Sequence, residues 1–125
     1  MEDRTAINKR EVLEQLISEL RAALPEIQGA VVASADGLPI VAQAEDAARL
    51  AAMAATALGL GRRIAETTQL GPLAETLVRG RDGYVVVYAV GQRGVLALIA
   101  PAQVNLGLLH LEARSIAERM AEVLG

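Results

Sequence analysis

The chain contains no cysteine, phenylalanine or tryptophan, and Tyr84 and Tyr88 are its only aromatic residues apart from one histidine. Without cysteine it can form neither disulfides nor thiolate metal sites. No apolar run approaches the roughly 20 residues that a membrane-spanning helix needs. Hydrophobic residues nevertheless make up 53% of the 125 residues. The core of a single domain must therefore be filled by aliphatic and alanine side chains.

Positive charge is carried almost entirely by arginine, since Lys9 is the only lysine, and the net charge is −3. Nucleic-acid-binding proteins normally carry a basic surface, so this composition gives no support for a nucleic-acid partner. Residues Met1–Arg10 are charged and lack the apolar stretch of a secretory signal. The sequence therefore predicts a cytoplasmic protein with no direct membrane insertion.

The segment Ile27–Ala42 predicts a β-hairpin around which the rest of the chain is organised. Two apolar runs, Ala30–Ala33 and Pro39–Ala42, flank an Asp-Gly pair at 36–37. Glycine accepts a positive φ and aspartate tolerates it, so this pair favours a tight turn. Pro39 has no N–H to donate to a neighbouring strand, which places the second strand at an edge of the sheet.

Three segments show the apolar periodicity of amphipathic helices. The first begins at Asn8, which is its predicted cap, and ends before Pro25. The second covers about Ala47–Ile64, is rich in alanine and glycine, and has Asp46 as its predicted cap. The third covers about Val104–Leu124.

Three further apolar runs are typical of strands: Leu73–Arg79, Tyr84–Val90 and Val95–Ala100. Short glycine-containing turns join them, and such turns connect antiparallel neighbours, so the three strands predict a meander. The predicted order of elements is α-β-β-α-β-β-β-α. We interpret residues 1–9 as a tail and residues 10–125 as one domain.

The second predicted helix is apolar over more of its circumference than contact with one sheet requires, which predicts a second partner. The strand Leu73–Arg79 begins the meander and leaves one edge unpaired, a liability that pairing removes. Both features predict a homodimer. The predicted dimer interface consists of Leu50, Met53, Ala54, Ala57, Leu58 and Gly61 on the helix and Glu75, Thr76, Leu77 and Val78 on the strand.

No segment carries a motif that is specific for catalysis or ligand binding. The run 59–63, Gly-Leu-Gly-Arg-Arg, lacks the Lys-Ser/Thr of a phosphate loop and closes a helix instead of opening one. His110 has no cysteine or second histidine with which to bind a metal. Arg79 and Arg81 flank a turn and could reach a phosphate or act as a finger on a partner GTPase, although most turn arginines are only solvated. We expect no enzymatic activity, no cofactor and no metal.

The chain resembles the roadblock family, which includes roadblock-type dynein light chains and bacterial Mgl-type GTPase regulators. The resemblance covers about Arg10–Leu124 and rests on these segments: Leu24–Val32, Asp36–Ile40, Leu50–Ala55, Gly83–Val87 and Asn105–Leu109. It implies an α/β fold of the roadblock/longin/profilin type, αββαβββα. The five-stranded antiparallel sheet would have the strand order 2-1-5-4-3, with helices 1 and 3 on one face and helix 2 on the other.

The same resemblance implies a homodimer in which the third strands pair and the second helices lie side by side. Family members bind small Ras-like GTPases or act as subunits of larger scaffolds, so we predict a non-enzymatic regulator of such a GTPase. The predicted docking surface consists of Arg49, Thr56, Leu60 and Arg63. The alternative is a dimeric scaffold or light-chain-like subunit with no GTPase target. A third possibility, a small-molecule sensor or enzyme, has no supporting set of polar residues.

Overall fold

The computed structural model describes residues 4–125, with side chains described from Asn8 onward. Its elements are α1 (Arg4–Ala23), β1 (Gly29–Ser34), β2 (Pro39–Gln43), α2 (Ala47–Thr67), β3 (Thr76–Gly80), β4 (Gly83–Val90), β5 (Gly94–Pro101) and α3 (Leu106–Leu124). The predicted order of elements is confirmed. None of the helices in this part of the chain is long and apolar enough to cross a membrane.

The five strands form one antiparallel sheet in the order β2-β1-β5-β4-β3, as the family resemblance implies. β1 and β2 form the predicted hairpin, in which Gly37 adopts a φ of +90° that favours glycine. The Ser34 N–H donates to the Leu38 carbonyl at 2.8 Å, and the Ser34 hydroxyl accepts from the Leu38 N–H at 3.1 Å. β2 lies at the sheet edge, as Pro39 predicts.

The helices cover both faces of the sheet. α1 and α3 pack on one face over the larger core, which contains Tyr88 and the leucines of both helices. α2 packs on the other face over a smaller core, in which Ala51, Ala54 and Leu58 meet valines and alanines of β1, β4 and β5. The predicted distribution of the helices is therefore confirmed. Burial of these aliphatic groups stabilises the fold by about 25 cal/mol per Å² removed from water.

Of the two predicted helix caps, Asn8 is wrong, and Asp46 is correct in position but forms no side-chain cap. α1 begins at Arg4, so Asn8 lies inside the helix, and part of the predicted tail 1–9 is helical; residues 1–3 lie outside the described residues. Asp46 does precede α2, but its side chain forms no capping bond because its backbone is left-handed (φ 52°, ψ 40°), whereas a capping residue normally has an extended backbone. Asn105 is the residue that caps α3: its Oδ1 accepts from the Leu108 N–H at 3.0 Å.

Besides the start of α1, three element boundaries differ from the prediction by two or more residues, and one of them is the start of α3, at Leu106 instead of Val104. α2 continues to Thr67, three residues beyond Ile64. β3 begins at Thr76, because the ladder with β4 starts with the pair Thr76 and Val87. Leu73 instead packs against the core under α2, so this residue is used for packing before the strand begins.

Candidate protein-interaction surface

One side of α2 is buried against the sheet of its own subunit. Ala51, Ala54, Leu58 and Ala65 are at most 5% exposed. Ala54 and Leu58 were predicted to lie in a dimer interface, and that placement is wrong because both belong to the core of a single subunit. Leu50 and Gly61 are half-buried at the border of this face.

A second apolar side of α2 is open. Met53, Leu60 and Ile64 are 55%, 58% and 53% exposed, and Ala57 lies half-buried between them. Their spacing of four, three and four residues places all four side chains along one line of the helix. Leu60 was assigned to the GTPase-docking surface but belongs to this apolar line. Ile64 was missed, although it continues the same periodicity from Met53 by three turns.

The exposed line on α2 borders β3, which within residues 4–125 pairs with β4 alone and so has one free edge. The Thr76 hydroxyl donates to the Ala57 carbonyl at 3.4 Å, so Thr76 points toward α2. Val78 points to the same face, because strand side chains alternate and because it pairs with Val85 beside the α2-side core. Val78 is 55% exposed. We call the set Met53, Ala57, Leu60, Ile64 and Val78 the α2–β3 surface.

Leu77 and Glu75 lie on the opposite face of the sheet from the α2–β3 surface. Leu77 is 39% exposed there. Glu75 is held by α3: its Oε1 is 2.6 Å from Arg114 Nη2 and 3.9 Å from His110 Nδ1. Glu75 is predicted to lie in the interface, whereas the structure shows it in a partly exposed ion pair that joins the residue before β3 to α3.

The Glu75 ion pair is part of a larger polar cluster. The Tyr88 hydroxyl lies 2.5 Å from His110 Nδ1 and can donate to it when the imidazole is neutral. Burial raises the pKa of Tyr88 above its ordinary value, and the negative charge of Glu75 raises it further. His110 is thus half-buried and hydrogen-bonded. Within residues 4–125 no group of three or more histidine, cysteine, aspartate or glutamate residues is placed to hold a metal ion.

A polar line runs along the solvent side of α2 next to the apolar one. Arg49, Thr56 and Arg63 are exposed and spaced seven residues apart, so they lie along one side of the helix. Among the side chains that the structure describes, neither arginine takes part in an ion pair. A shallow depression of about 320 Å³, lined by Ala52, Met53, Thr56 and Ala57, joins this line to the α2–β3 surface.

The two turn arginines lie away from this line, at the connection between β3 and β4. The Arg79 guanidinium is 6.0 Å from the centroid of the Tyr84 ring. Arg81 pairs with Asp82 at 3.5 Å, and both side chains are about nine-tenths exposed. An exposed ion pair of this kind contributes little to stability. Arg79 and Arg81 are both exposed at one end of the β3 edge and so are accessible to a partner.

Comparison with known proteins points to one family. The model of the Roadblock/LC7 domain matches residues 13–100. An uncharacterized protein of Methanocaldococcus jannaschii is 34% identical over 97 residues, which are 75% of this chain and 84% of the relative. A second uncharacterized protein of that organism is 33% identical over 97 residues, which are again 75% of this chain and 84% of the relative.

Solved structures share the fold. A Roadblock/LC7 domain from Streptomyces avermitilis superposes with a TM-score of 0.81 at 24% identity, covering 88% of this chain and 95% of that one. MglB from Myxococcus xanthus superposes with a TM-score of 0.79 at 16% identity, covering 90% and 94%. At these identities the likeness establishes the architecture of the chain.

Proposed function

Because this chain belongs to the Roadblock/LC7 domain family, we propose that it acts as a non-enzymatic homodimer that binds a small Ras-like GTPase and modulates its GTP hydrolysis or nucleotide state. The sequence resemblance to bacterial Mgl-type GTPase regulators and the fold shared with MglB support the choice of partner. The observation that carries the proposal is the α2–β3 surface, an apolar patch beside an unpaired strand edge.

Dimerisation explains both parts of this surface with one contact. Two β3 edges that pair extend the sheet across the dimer and satisfy their backbone groups. The same contact brings the two α2 helices together and removes Met53, Leu60 and Ile64 from water. A two-fold contact of this kind is self-complementary, because each subunit offers the same patch. Obligate dimers commonly bury about 2,000 Å² or more in total.

In such a dimer the polar line Arg49, Thr56 and Arg63 of each subunit flanks the joined helices. We assign the GTPase to this side, where the exposed polar line of each subunit offers charged and hydrogen-bonding side chains. Binding there would act by ordering the GTPase's own switch segments, since an order–disorder change in them gates hydrolysis. By contrast, a regulator that supplies an arginine finger raises the GTP hydrolysis rate of its GTPase by about 10³–10⁵-fold.

The test is to purify the chain with each small Ras-like GTPase encoded in the same genome, loaded with a GTP analogue or with GDP. We expect one of them to bind in a nucleotide-dependent manner and to change its hydrolysis or exchange rate. Replacing Arg49 and Arg63 together by alanine should weaken that binding by about tenfold, as loss of two interface charges does. Replacing the exposed Arg10 and Arg93 by alanine is the control that removes equal charge elsewhere.

The outcomes separate the two candidate functions. If a dimer forms but no GTPase binds in either nucleotide state, the regulator proposal is wrong and the scaffold alternative takes its place. If a GTPase binds and the Arg49 and Arg63 variant retains full affinity, the function stands and the docking side is wrong.

A further inference from the structure

The sheet has a second free edge, opposite β3. Within residues 4–125, β2 pairs with β1 alone. Val41 and Gln43 face α1, because they pair with Val32 and Ala30 of the core under α1 and α3. Ala42 points to the other face and is exposed. The outer side of β2 therefore presents backbone groups that can pair with an additional strand.

α1 runs beside this edge and forms one wall of a groove of about 320 Å³. The groove is lined by Glu11, Glu14, Gln15 and Ser18 of α1 and by Val41, Ala42 and Gln43 of β2. Arg21 holds the end of β2 in place, since its guanidinium donates to the Gln43 side chain at 2.9 Å and to the Ile27 carbonyl at 3.0 Å. The groove thus has a defined strand as its floor and a helix as its wall.

The wall of this groove carries negative charge. Glu11 and Glu14 are exposed, and neither forms an ion pair with any of the side chains described from Asn8 onward. Their spacing of three residues places both carboxylates on one side of α1. The Ser18 hydroxyl is turned back to the Glu14 carbonyl, to which it donates at 3.1 Å. The charged side chains that line the groove are therefore these two carboxylates, while Gln15 and Gln43 are neutral and Arg21 is held at the end of β2.

We propose that the groove between α1 and β2 binds an extended basic segment of a partner protein, which adds to β2 as a sixth strand and places lysine or arginine side chains against Glu11 and Glu14. Strand side chains alternate between the two faces. A segment with a basic residue at every second position directs those residues to α1 and its other side chains to the face of Ala42. Backbone bonds then supply affinity, and the carboxylates select charge and register.

This site lies at the edge of the sheet away from the α2–β3 surface. It can be occupied in a monomer or in a dimer formed through β3. The inference goes beyond the proposed regulation of a GTPase and does not depend on it, because the experiment below contains no GTPase.

The probe is a short synthetic peptide, blocked at both ends, in which lysine and valine alternate. It is titrated into the isotopically labelled full chain and followed by NMR. We expect the largest chemical-shift changes at the amides of Ile40–Gln43 and near Glu11 and Glu14. Hydrogen exchange of the β2 amides should become slower when the peptide is bound. Replacing Glu11 and Glu14 by glutamine should weaken binding by about fivefold, as loss of two exposed charge pairs does.

Two controls separate strand addition from general attraction to an acidic protein. The Glu118→Gln and Glu122→Gln double variant removes the same charge from exposed positions of α3 and should bind the peptide unchanged. The same peptide methylated on its backbone amides keeps its charge but cannot pair with β2, and it should not bind.

Three results would overturn the inference. The first is equal affinity of the wild type and the Glu11 and Glu14 variant for the peptide. The second is equal binding of the methylated peptide, which would show adventitious attraction of a cation. The third is a set of shifts at Ile40–Gln43 that grows with protein concentration without peptide, which would assign this edge to a second copy of the chain.

Discussion

Glu75, Tyr88, His110 and Arg114 form one connected cluster where the start of β3 meets β4 and α3. Among the described residues, every buried side-chain nitrogen or oxygen has a hydrogen-bond partner. Tyr88 can therefore lie in an aliphatic core, because His110 satisfies its hydroxyl. A buried polar group without a hydrogen-bond partner lowers the stability of the fold. Removing one side chain of the cluster therefore leaves its neighbour without a partner.

Because the pKa of Tyr88 is raised, the free energy of unfolding should decrease as the pH rises into the alkaline range. Below about pH 10 the phenol is neutral in both the folded and the unfolded chain, so it contributes no pH dependence. Above that value it ionises in the unfolded chain but stays neutral in the fold, and stability falls by up to about 1.4 kcal/mol per pH unit. Urea unfolding between pH 8 and 11 measures this loss.

Tyr88→Phe is the matched variant for that measurement. It should cost about 1 kcal/mol at neutral pH, because His110 loses a hydrogen bond, and it should remove the contribution of Tyr88 to the alkaline loss. The assignment is wrong if wild type and variant lose stability in parallel above pH 10.

At the scale of the element, α2 carries two apolar sides with different uses. Ala54 lies on the side buried under the sheet and Met53 on the exposed side, although the two are neighbours in sequence. Within one subunit, a charge at position 54 must be buried, whereas a charge at position 53 stays in water. One substitution tried at both positions therefore tests the orientation of the helix.

We expect Ala54→Glu to lower the free energy of unfolding by about 3 kcal/mol or more, because the carboxylate has no partner in that core. Met53→Glu should leave the stability of the monomeric subunit within about 0.5 kcal/mol, so both substitutions are made in the Leu60→Glu background, which is expected to prevent dimerisation. Chemical denaturation followed by circular dichroism measures both. Similar losses at the two positions would mean that α2 is turned differently on the sheet.

Asn105, the cap of α3, and Asn8, which lies inside α1, offer a second test at this scale. Asn105→Ala should cost about 1 kcal/mol, because its side chain accepts from the Leu108 N–H. Asn8→Ala, inside α1, should be neutral or slightly stabilising, since alanine is the better helix former. Thermal unfolding of the two variants distinguishes a cap from a helix interior, and a loss at Asn8 equal to that at Asn105 would contradict the assignment.

At the scale of the whole molecule, the two edges of the sheet differ in what surrounds them. β3 is bordered by the apolar residues of the α2–β3 surface, while β2 is bordered by the carboxylates of α1. Apolar surface next to a free edge favours a permanent contact, and a charged wall favours a reversible one that depends on salt. The proposed dimer and the proposed peptide site follow from this difference.

Leu60→Glu tests the dimer directly. We expect the wild type to have the mass of a dimer by light scattering at micromolar concentration, and Leu60→Glu to have the mass of a monomer with its helical content retained. Ala48→Glu introduces the same charge at an exposed position on another side of α2 and should remain dimeric. A wild-type chain that is strictly monomeric under these conditions would refute the dimer.

Much of the fold was predictable because the signals for it are local. The Asp-Gly turn at 36–37, the short loops of the meander and the helical periodicities act over a few residues, and Pro39 alone indicated an edge strand. The candidate site was predicted less well. Met53 and Val78 are exposed and Ala57 is half-buried, so their place in an interface stays a prediction, whereas Ala54 and Leu58 lie in the core.

The sequence by itself determined the order of the elements, the hairpin and the wide apolar circumference of α2, since backbone preference and periodicity are properties of neighbouring residues. Only the tertiary structure decided which part of that circumference meets the sheet. A helix whose apolar arc is wider than one contact can pack on the sheet in more than one rotation about its own axis. It likewise decided that Glu75 pairs with Arg114, 39 residues away. Such a pair forms only once the start of β3 is stacked beside α3, and that stacking results from packing of the whole core.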